Sequence, residues 1–325
     1  MVKDKEYWRN EAVSFLALST IKGVGYWTLN RLARSETSFK ELLKNSTPLD
    51  LERALQVSFI DSTETWPEQQ QTLWDKGIEL GRALGLDFTR LIFREQSEFP
   101  ASLKSLPDGP QWLFIQGSLE VLARSSVAVV GTRKPSDDGY FLAKYLIAAL
   151  NGLDFVTVSG LASGIDQTAH SESIRYGIPT IAVLGNGIFN NYPKGSEVLR
   201  KKIIETGGAI VSEYLPYQSY SAENFVRRNR IQAGLADAVF PVEWKIKSGT
   251  AHTVDFAYRY MKKIVNLYLP GTIDDRPEIS FSSNERGATA FAVPSETGEL
   301  ISYLTGGHQP NRTEETKPIQ ESFDL

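Results

Sequence analysis

The chain has 325 residues, with 35 Lys and Arg against 39 Asp and Glu, three His, no Cys and a formal net charge of −4. That length suits about two domains with ample core, and 41% hydrophobic with 23% charged residues is a globular composition. The lack of cysteine excludes a disulfide framework, thiolate metal sites and a Cys nucleophile, and no apolar run approaches the ~18 residues of a membrane span, so a cytoplasmic protein with no membrane partner is expected. Residues 1 to about 85 read as a small helical domain. Glu11–Ser19 is apolar, Thr28–Arg34 is amphipathic, and Phe39–Leu43 and Leu51–Val57 continue the helical spacing. Between the first two lies Ile21-Lys22-Gly23-Val24-Gly25. Its glycines permit a turn at positive φ. Such a turn is either a plain helix–helix connection or a hairpin whose free N–H groups hold a DNA phosphate.

Residues 86 to about 120 read as a connector bearing Pro100, Pro107 and Pro110, leading into a short strand at Trp112–Gln116. From Val127 short β-branched runs alternate with helical stretches, the signature of a parallel sheet with crossover helices. The predicted strands are Val127–Val130, Phe155–Ser159, Thr180–Leu184, Ala209–Ser212, Ala238–Val242 and Ile264–Tyr268, with Ala288–Val293 as a further one. They are apolar throughout, so both faces of the sheet are expected to be covered. The predicted fold is therefore α/β, a Rossmann-like, mostly parallel sheet over 86–305. From Gly306 the chain turns polar, and 306–325 reads as a flexible tail.

Ligands of an open α/β sheet bind beyond the carboxyl ends of its strands. There the sequence places Gly131-Thr132-Arg133-Lys134, then Ser159-Gly160-Leu161-Ala162-Ser163-Gly164, then Gly185-Asn186-Gly187, then Lys245-Ile246-Lys247-Ser248-Gly249-Thr250. One such loop is an ordinary strand-to-helix turn. Four of them carrying Gly, Ser, Thr or basic residues make a phosphate-binding rim. Neither Gly-x-Gly-x-x-Gly after the first of these strands nor a Gly-x-x-x-x-Gly-Lys-Ser/Thr loop occurs, so no dinucleotide or P-loop cofactor is expected.

Glu223-Asn224-Phe225-Val226-Arg227-Arg228-Asn229-Arg230 concentrates three arginines in an acidic chain, which binds nucleic acid only through such a local patch. On a helix Arg227 and Arg230 share a face and Arg228 points elsewhere. Phe225 is placed to stack on an unpaired base; the plainer reading is a solvated basic face with Phe225 in the core. Asp166 and His170, and His252 and Asp255, stand at helical spacing. They read as acid–base pairs or, preferably, as structural groups. No His, Asp and Glu set has metal-ligand spacing, so no metal and no catalytic residue is expected. Glu213 and Glu243 also follow strands. Carboxylates there repel phosphate unless they orient a ribose hydroxyl or pair with an arginine.

In order along the chain, VAVVGTRKPS, TVSGLASGIDQTAH, TIAVLGNGIFNNYP, GGAIVSEY, ENFVRRNRIQAGLADAVFPVE, KSGT and LPG resemble the DNA-processing protein A family, also called DprA or Smf. The connector SEFPASLKSLPDGPQWLFIQGSLEVL and the helical N-terminus, similar to a helix-hairpin-helix or SAM-like domain, extend the resemblance over most of 1–305. The resemblance implies an extended Rossmann-like fold that is commonly dimeric, binds single-stranded DNA and brings the recombinase RecA onto DNA in natural transformation, without being an established enzyme. It places phosphate contacts on Gly131, Thr132 and Arg133, to which Lys134 adds charge, and on Ser159, Gly160 and Gly164. It places backbone and base contacts on Asn224, Phe225, Arg227, Arg228 and Arg230, with Lys247, Ser248, Gly249 and Thr250 completing the rim. Three departures mark a divergent member. Ser163 stands where the family usually has Arg, Ala251-His252-Thr253-Val254-Asp255 replaces small residues, and no winged-helix domain follows 305. These leave open a regulatory or antitoxin component of a defence system, or a small-nucleotide sensor. Nucleotide hydrolysis of the phosphoribohydrolase type is a further alternative, although Pro270-Gly271-Thr272 is only a fragment of that family's loop.

Overall fold

The computed structural model describes residues 3–61 and 63–306; the predicted tail lies almost entirely outside them. Five helices come first: α1 (Lys5–Ser19), α2 (Tyr26–Arg34), α3 (Phe39–Asn45), α4 (Pro48–Leu55) and α5 (Trp66–Leu86). Local chemistry sets their starts. Asp4 accepts from the Tyr7 N–H, Thr47 precedes Pro48 at the first turn of α4, and Thr65 with Glu68 forms a capping box for α5. In the turn before α2, Gly23 adopts φ +91°. Helices α1 and α5 pack so closely that a Cβ at Gly77 would strike the Val13 carbonyl.

The rest of the chain alternates. In order come β1 (Thr89–Phe93), a short α6 (Ala101–Lys104), β2 (Trp112–Gly117), β3 (Ser126–Gly131), α7 (Asp137–Ala149), β4 (Val156–Ser159), α8 (Ile165–Arg175), β5 (Thr180–Val183) and α9 (Glu197–Glu205). Then follow β6 (Ala209–Ser212), α10 (Ala222–Leu235), β7 (Ala238–Val242), α11 (Gly249–Arg259), β8 (Lys263–Tyr268), α12 (Pro277–Arg286), β9 (Thr289–Ala292) and α13 (Thr297–Thr305). Every predicted strand is present. The connector departs from expectation, because it contributes β1, an edge strand paired antiparallel with β2 from Thr89↔Gln116 to Phe93↔Trp112.

The sheet runs β1-β2-β6-β5-β4-β3-β7-β8-β9. The pairs β1–β2 and β2–β6 are antiparallel and the others parallel. From β3 the chain winds outward through β4, β5 and β6, then returns to lay β7 on the other flank of β3. That reversal is the topological switch point, where the carboxyl ends of an open sheet leave a crevice. The carboxyl ends of β5, β4, β3 and β7 therefore stand side by side.

The central strands are buried on both faces: β4, β5, β6 and β7 are covered along their whole length. The helices α1–α5 share a core with the β1–β2–β6 end. Phe15 of α1 packs on Trp112 at 4.7 Å and on Phe93 at 5.6 Å between ring centroids, within a cluster that includes Phe114, Ile210 and Tyr214. No helix of the described residues is long and apolar enough to cross a membrane.

Candidate nucleic-acid interface

The loop after β3 turns at Gly131, where a Cβ would run into Ile165 at 2.6 Å and into the Val242 carbonyl of the paired strand β7. The Thr132 N–H donates to the Glu243 carbonyl at 3.2 Å. Arg133 and Lys134 are exposed just beyond. Ser136 caps α7 by accepting from Gly139 N–H, and its own N–H donates to Glu243 Oε2 at 2.8 Å. Glu243 thus completes the N-terminal cap of α7, with Asp137 and Asp138 in the first turn of that helix. The free positive charge of this loop therefore lies on the side chains that precede α7, Arg133 and Lys134.

The loop after β4 is drawn under the first one. Ser159 Oγ donates to the Val129 carbonyl at 2.6 Å. Leu161 and Gly164 adopt φ +62° and +83°, and a Cβ at Gly164 would meet the Arg133 backbone at 2.7 Å. Ser163 is exposed between them. Asp166, in the first turn of α8, is buried. Burial pushes its carboxyl up, against the opposing effect of Arg228 and of hydrogen bonds from Ala162, Ser159 and Gly160.

The predicted arginine cluster resolves into three environments. Arg228 is only 4% exposed. It donates to the Gly160 carbonyl at 2.7 Å, to the Val183 carbonyl, and to Asn229 Oδ1 at 3.0 Å, so it ties the ends of β4 and β5 to α10. Burial lowers its pKa, with Asp166 acting the other way. Arg230 forms a fork with Glu213, Nη1 to Oε1 at 2.6 Å and Nη2 to Oε2 at 2.7 Å, and donates to the Asp108 carbonyl at 2.8 Å. Arg227 lies over Trp27 at 4.0 Å and Tyr26 at 4.7 Å and donates to Tyr26 Oη at 2.9 Å; Tyr26 in turn donates to Glu213 Oε2 at 2.7 Å. Arg227 and Arg230 share a face and Arg228 points away, as the helical spacing requires. What the spacing does not show is that Glu213, 1% exposed, holds the first two. Burial alone would raise the Glu213 carboxyl, but Arg230 and Arg227 outweigh it and hold it below the usual range.

Phe225 is half-buried on α10 and lies against the loop after β5, where a Cβ at Gly185 would meet its ring at 2.5 Å. The Arg133 guanidinium sits 5.4 Å and that of Arg228 5.9 Å from the ring centre. Asn224 donates from Nδ2 to the Ser219 carbonyl at 3.2 Å, and its N–H is taken by the Ser221 cap. After β7, Ser248 caps α11 by accepting from Ala251 N–H. Asn229 Nδ2 donates to the Gly249 carbonyl at 3.0 Å, and Thr250 is buried. Lys245 and Lys247 are exposed on this loop.

The two weighed acid–base pairs have other partners. His170 is buried with Nδ1 2.7 Å from Thr180 Oγ1, and burial with nearby Arg228 pushes its pKa down to about 3. Asp255 pairs with Arg286 at 2.9 Å while His252 is exposed. Among the described residues no group of three or more His, Cys, Asp or Glu is placed to hold a metal. The sequence places Lys245 on the fourth loop without giving it a contact, and it does not single out Tyr192 and Tyr220 beside Phe225 or Tyr217 beside Phe189. The three-residue spacing of Tyr214, Tyr217 and Tyr220 was their only signal.

The family model for DNA recombination-mediator protein A matches residues 90–299. The chain belongs to this family. Among relatives, protein Smf of Synechocystis is 30% identical over 94% of this chain and 80% of its own length. Protein Smf of Escherichia coli is 36% identical over 56% of this chain, and DNA processing protein DprA of Streptococcus pneumoniae 37% over 54%. These matches span only 48% and 61% of the two relatives. The X-ray structure of DprA from S. pneumoniae covers 89% of this chain and 97% of its own, with a TM-score of 0.63 at 24% identity. DprA from Helicobacter pylori, whose structure concerns its single-stranded DNA binding mode, covers 66% and 96% with a TM-score of 0.56 at 24% identity. At that identity the likeness to solved structures carries the fold.

Gly160 has a structural duty, since a Cβ there would fall on the Arg228 guanidinium. Gly160→Ala is expected to destabilise the fold by about 1–3 kcal/mol, read as a lower urea midpoint with an unchanged slope.

Proposed function

We propose that this chain binds single-stranded DNA at the carboxyl ends of β5, β4, β3 and β7, as a DNA-processing or recombination mediator that presents the strand to a recombinase such as RecA. The observation that carries the reading is the exposed Arg133 lying 5.4 Å from the ring centre of half-buried Phe225, with Lys134 and Lys247 exposed on the loops that follow the adjacent strands β3 and β7, at the switch point of the sheet. Family membership and the single-stranded DNA named for the H. pylori relative support it.

In this reading Arg133, Lys134, Lys245 and Lys247 meet phosphates. Gly131, Thr132, Ser159, Gly160 and Gly164 let the two loops nest against one another. Ser248, Gly249 and Thr250 fix the third loop, Asn224 faces the strand, and Phe225 forms an apolar floor beside Arg133. Arg228 and Arg230 act from beneath, by holding α10 to the sheet. The chain works without cleaving its ligand: His170 is buried and neutral, and Asp166 is enclosed by its own loop. A helical unit over 1–85, a Rossmann-like domain over 86–305 and a homodimer belong to the same proposal.

Fluorescence anisotropy with labelled single-stranded and duplex oligonucleotides over a salt series tests it. The expected result is preference for the single strand, with affinity falling steeply as salt rises. No binding of either oligonucleotide at low salt would overturn the reading.

A further inference from the structure

Phe225 does not offer a bare ring face. One side rests on Gly185, and Tyr192 and Tyr220 lie over it at 5.1 and 5.9 Å between ring centres, Tyr220 inclined at only 28°. Tyr192 and Tyr220 touch each other at 4.0 Å. The outermost ring of this stack is Tyr220, 52% exposed in the loop between β6 and α10. Three residues earlier Tyr217, 66% exposed, packs on Phe189 at 5.0 Å. Tyr217 also lines a groove of about 460 Å³ with Leu80 and Lys76 of α5. Burying the hydroxyl-bearing rings of Tyr217 and Tyr220 would be the ordinary fate of two large side chains so near a core. Here the fold holds them out against water, each braced from behind by a second aromatic ring.

We propose that Tyr220, backed by Tyr192 and Phe225, is the surface on which an unpaired base stacks, and that Tyr217 on Phe189 provides the next such position toward the N-terminal helices. This rests on the single-stranded DNA reading and deepens it. Arg133, 5.4 Å from Phe225, supplies the charge for the phosphate beside the first base. Phe225 is the floor of the stack and Tyr220 its contact face. An aromatic face accepts every base, so the stack favours unpaired strands over duplex without selecting sequence.

The test compares a labelled oligo-dT with an abasic oligonucleotide of equal length and charge, on the full chain. The native protein should bind oligo-dT more tightly. Tyr220→Ala should weaken oligo-dT binding about tenfold, within the range of one lost base stack, and leave the abasic affinity unchanged. Tyr220→Phe should retain the preference, and Tyr217→Ala should reduce it independently. Since Tyr220 is half-exposed and donates no described hydrogen bond, these variants keep the fold, which an unshifted urea midpoint would verify. Equal losses on both oligonucleotides, or none, would overturn the stacking role while leaving DNA binding in place. Failure of the native protein to bind either would overturn both.

Discussion

Glu213→Ala should be the most damaging single change to stability, lowering it by about 3–5 kcal/mol. The carboxylate accepts both arms of the Arg230 fork and the Tyr26 hydroxyl, with Arg227 at 3.7 Å. Removing it strands the Arg230 guanidinium, 3% exposed, without its counter-charge. The cost lies in that uncompensated cation, not in the worth of the pair. Replacing both partners by apolar residues, as in Glu213→Leu with Arg230→Met, should therefore recover much of the loss. Urea unfolding of the two single variants and the double variant measures this coupling directly. If the double variant is as unstable as the sum of the singles, the pair is not the source of the effect.

The same group sets an acid limit. Its folded pKa lies below the unfolded value of about 4.3. Its contribution is therefore complete above that value and is lost as pH falls through the folded pKa. Stability of the native chain should decline on the acid side of about pH 4, and Glu213→Gln should flatten that decline. Asp166 has the opposite sign, since its raised carboxyl pKa means protonation on acidification relieves a strain of burial.

This network shows where sequence reading stops. Strands such as Ala209–Ser212 and Ala238–Val242 were legible to the residue because both faces are buried and the runs are apolar but for the closing Ser212. Strand β1 was not. It has five residues, follows Phe88 at φ +51°, and exposes Arg90 at an antiparallel edge, so neither alternation nor a continuous apolar run marks it. The four glycine- and serine-bearing loops were readable because turn chemistry is local, and the topology then set their strands side by side. The destinations of the arginines were not readable, because their partners are remote: Tyr26 lies 201 residues from Arg227 and Glu213 lies 17 from Arg230. A cluster that reads as a basic surface is, for Arg228 and Arg230, a set of struts. Tyr192 gave no periodic signal, because it stands 28 residues from Tyr220 in another loop and only the fold brings the two together.

That division decides which substitutions report on DNA. Arg228→Glu would place a second carboxylate near Asp166 and aim it at the Gly160 and Val183 carbonyls; it is a folding lesion and a poor probe of binding. The cleaner probe is the exposed set Arg133, Lys134, Lys245 and Lys247, none of which supports the core. Their combined replacement by alanine should leave the stability measured by urea unfolding within about 0.5 kcal/mol of native. It should also lower single-strand affinity by orders of magnitude at low salt. Each phosphate contact contributes about 0.7 to the slope of log affinity against log salt on single strands, so losing four should flatten that slope by about 3. The loss should be alike for all sequences, because phosphate contacts position the strand without reading it. Tyr220→Ala should leave the slope alone, since a stacked base releases no counterion. A quadruple variant with native slope and affinity would move the binding surface away from the switch point, and with it every contact assigned to the β3 and β7 loops.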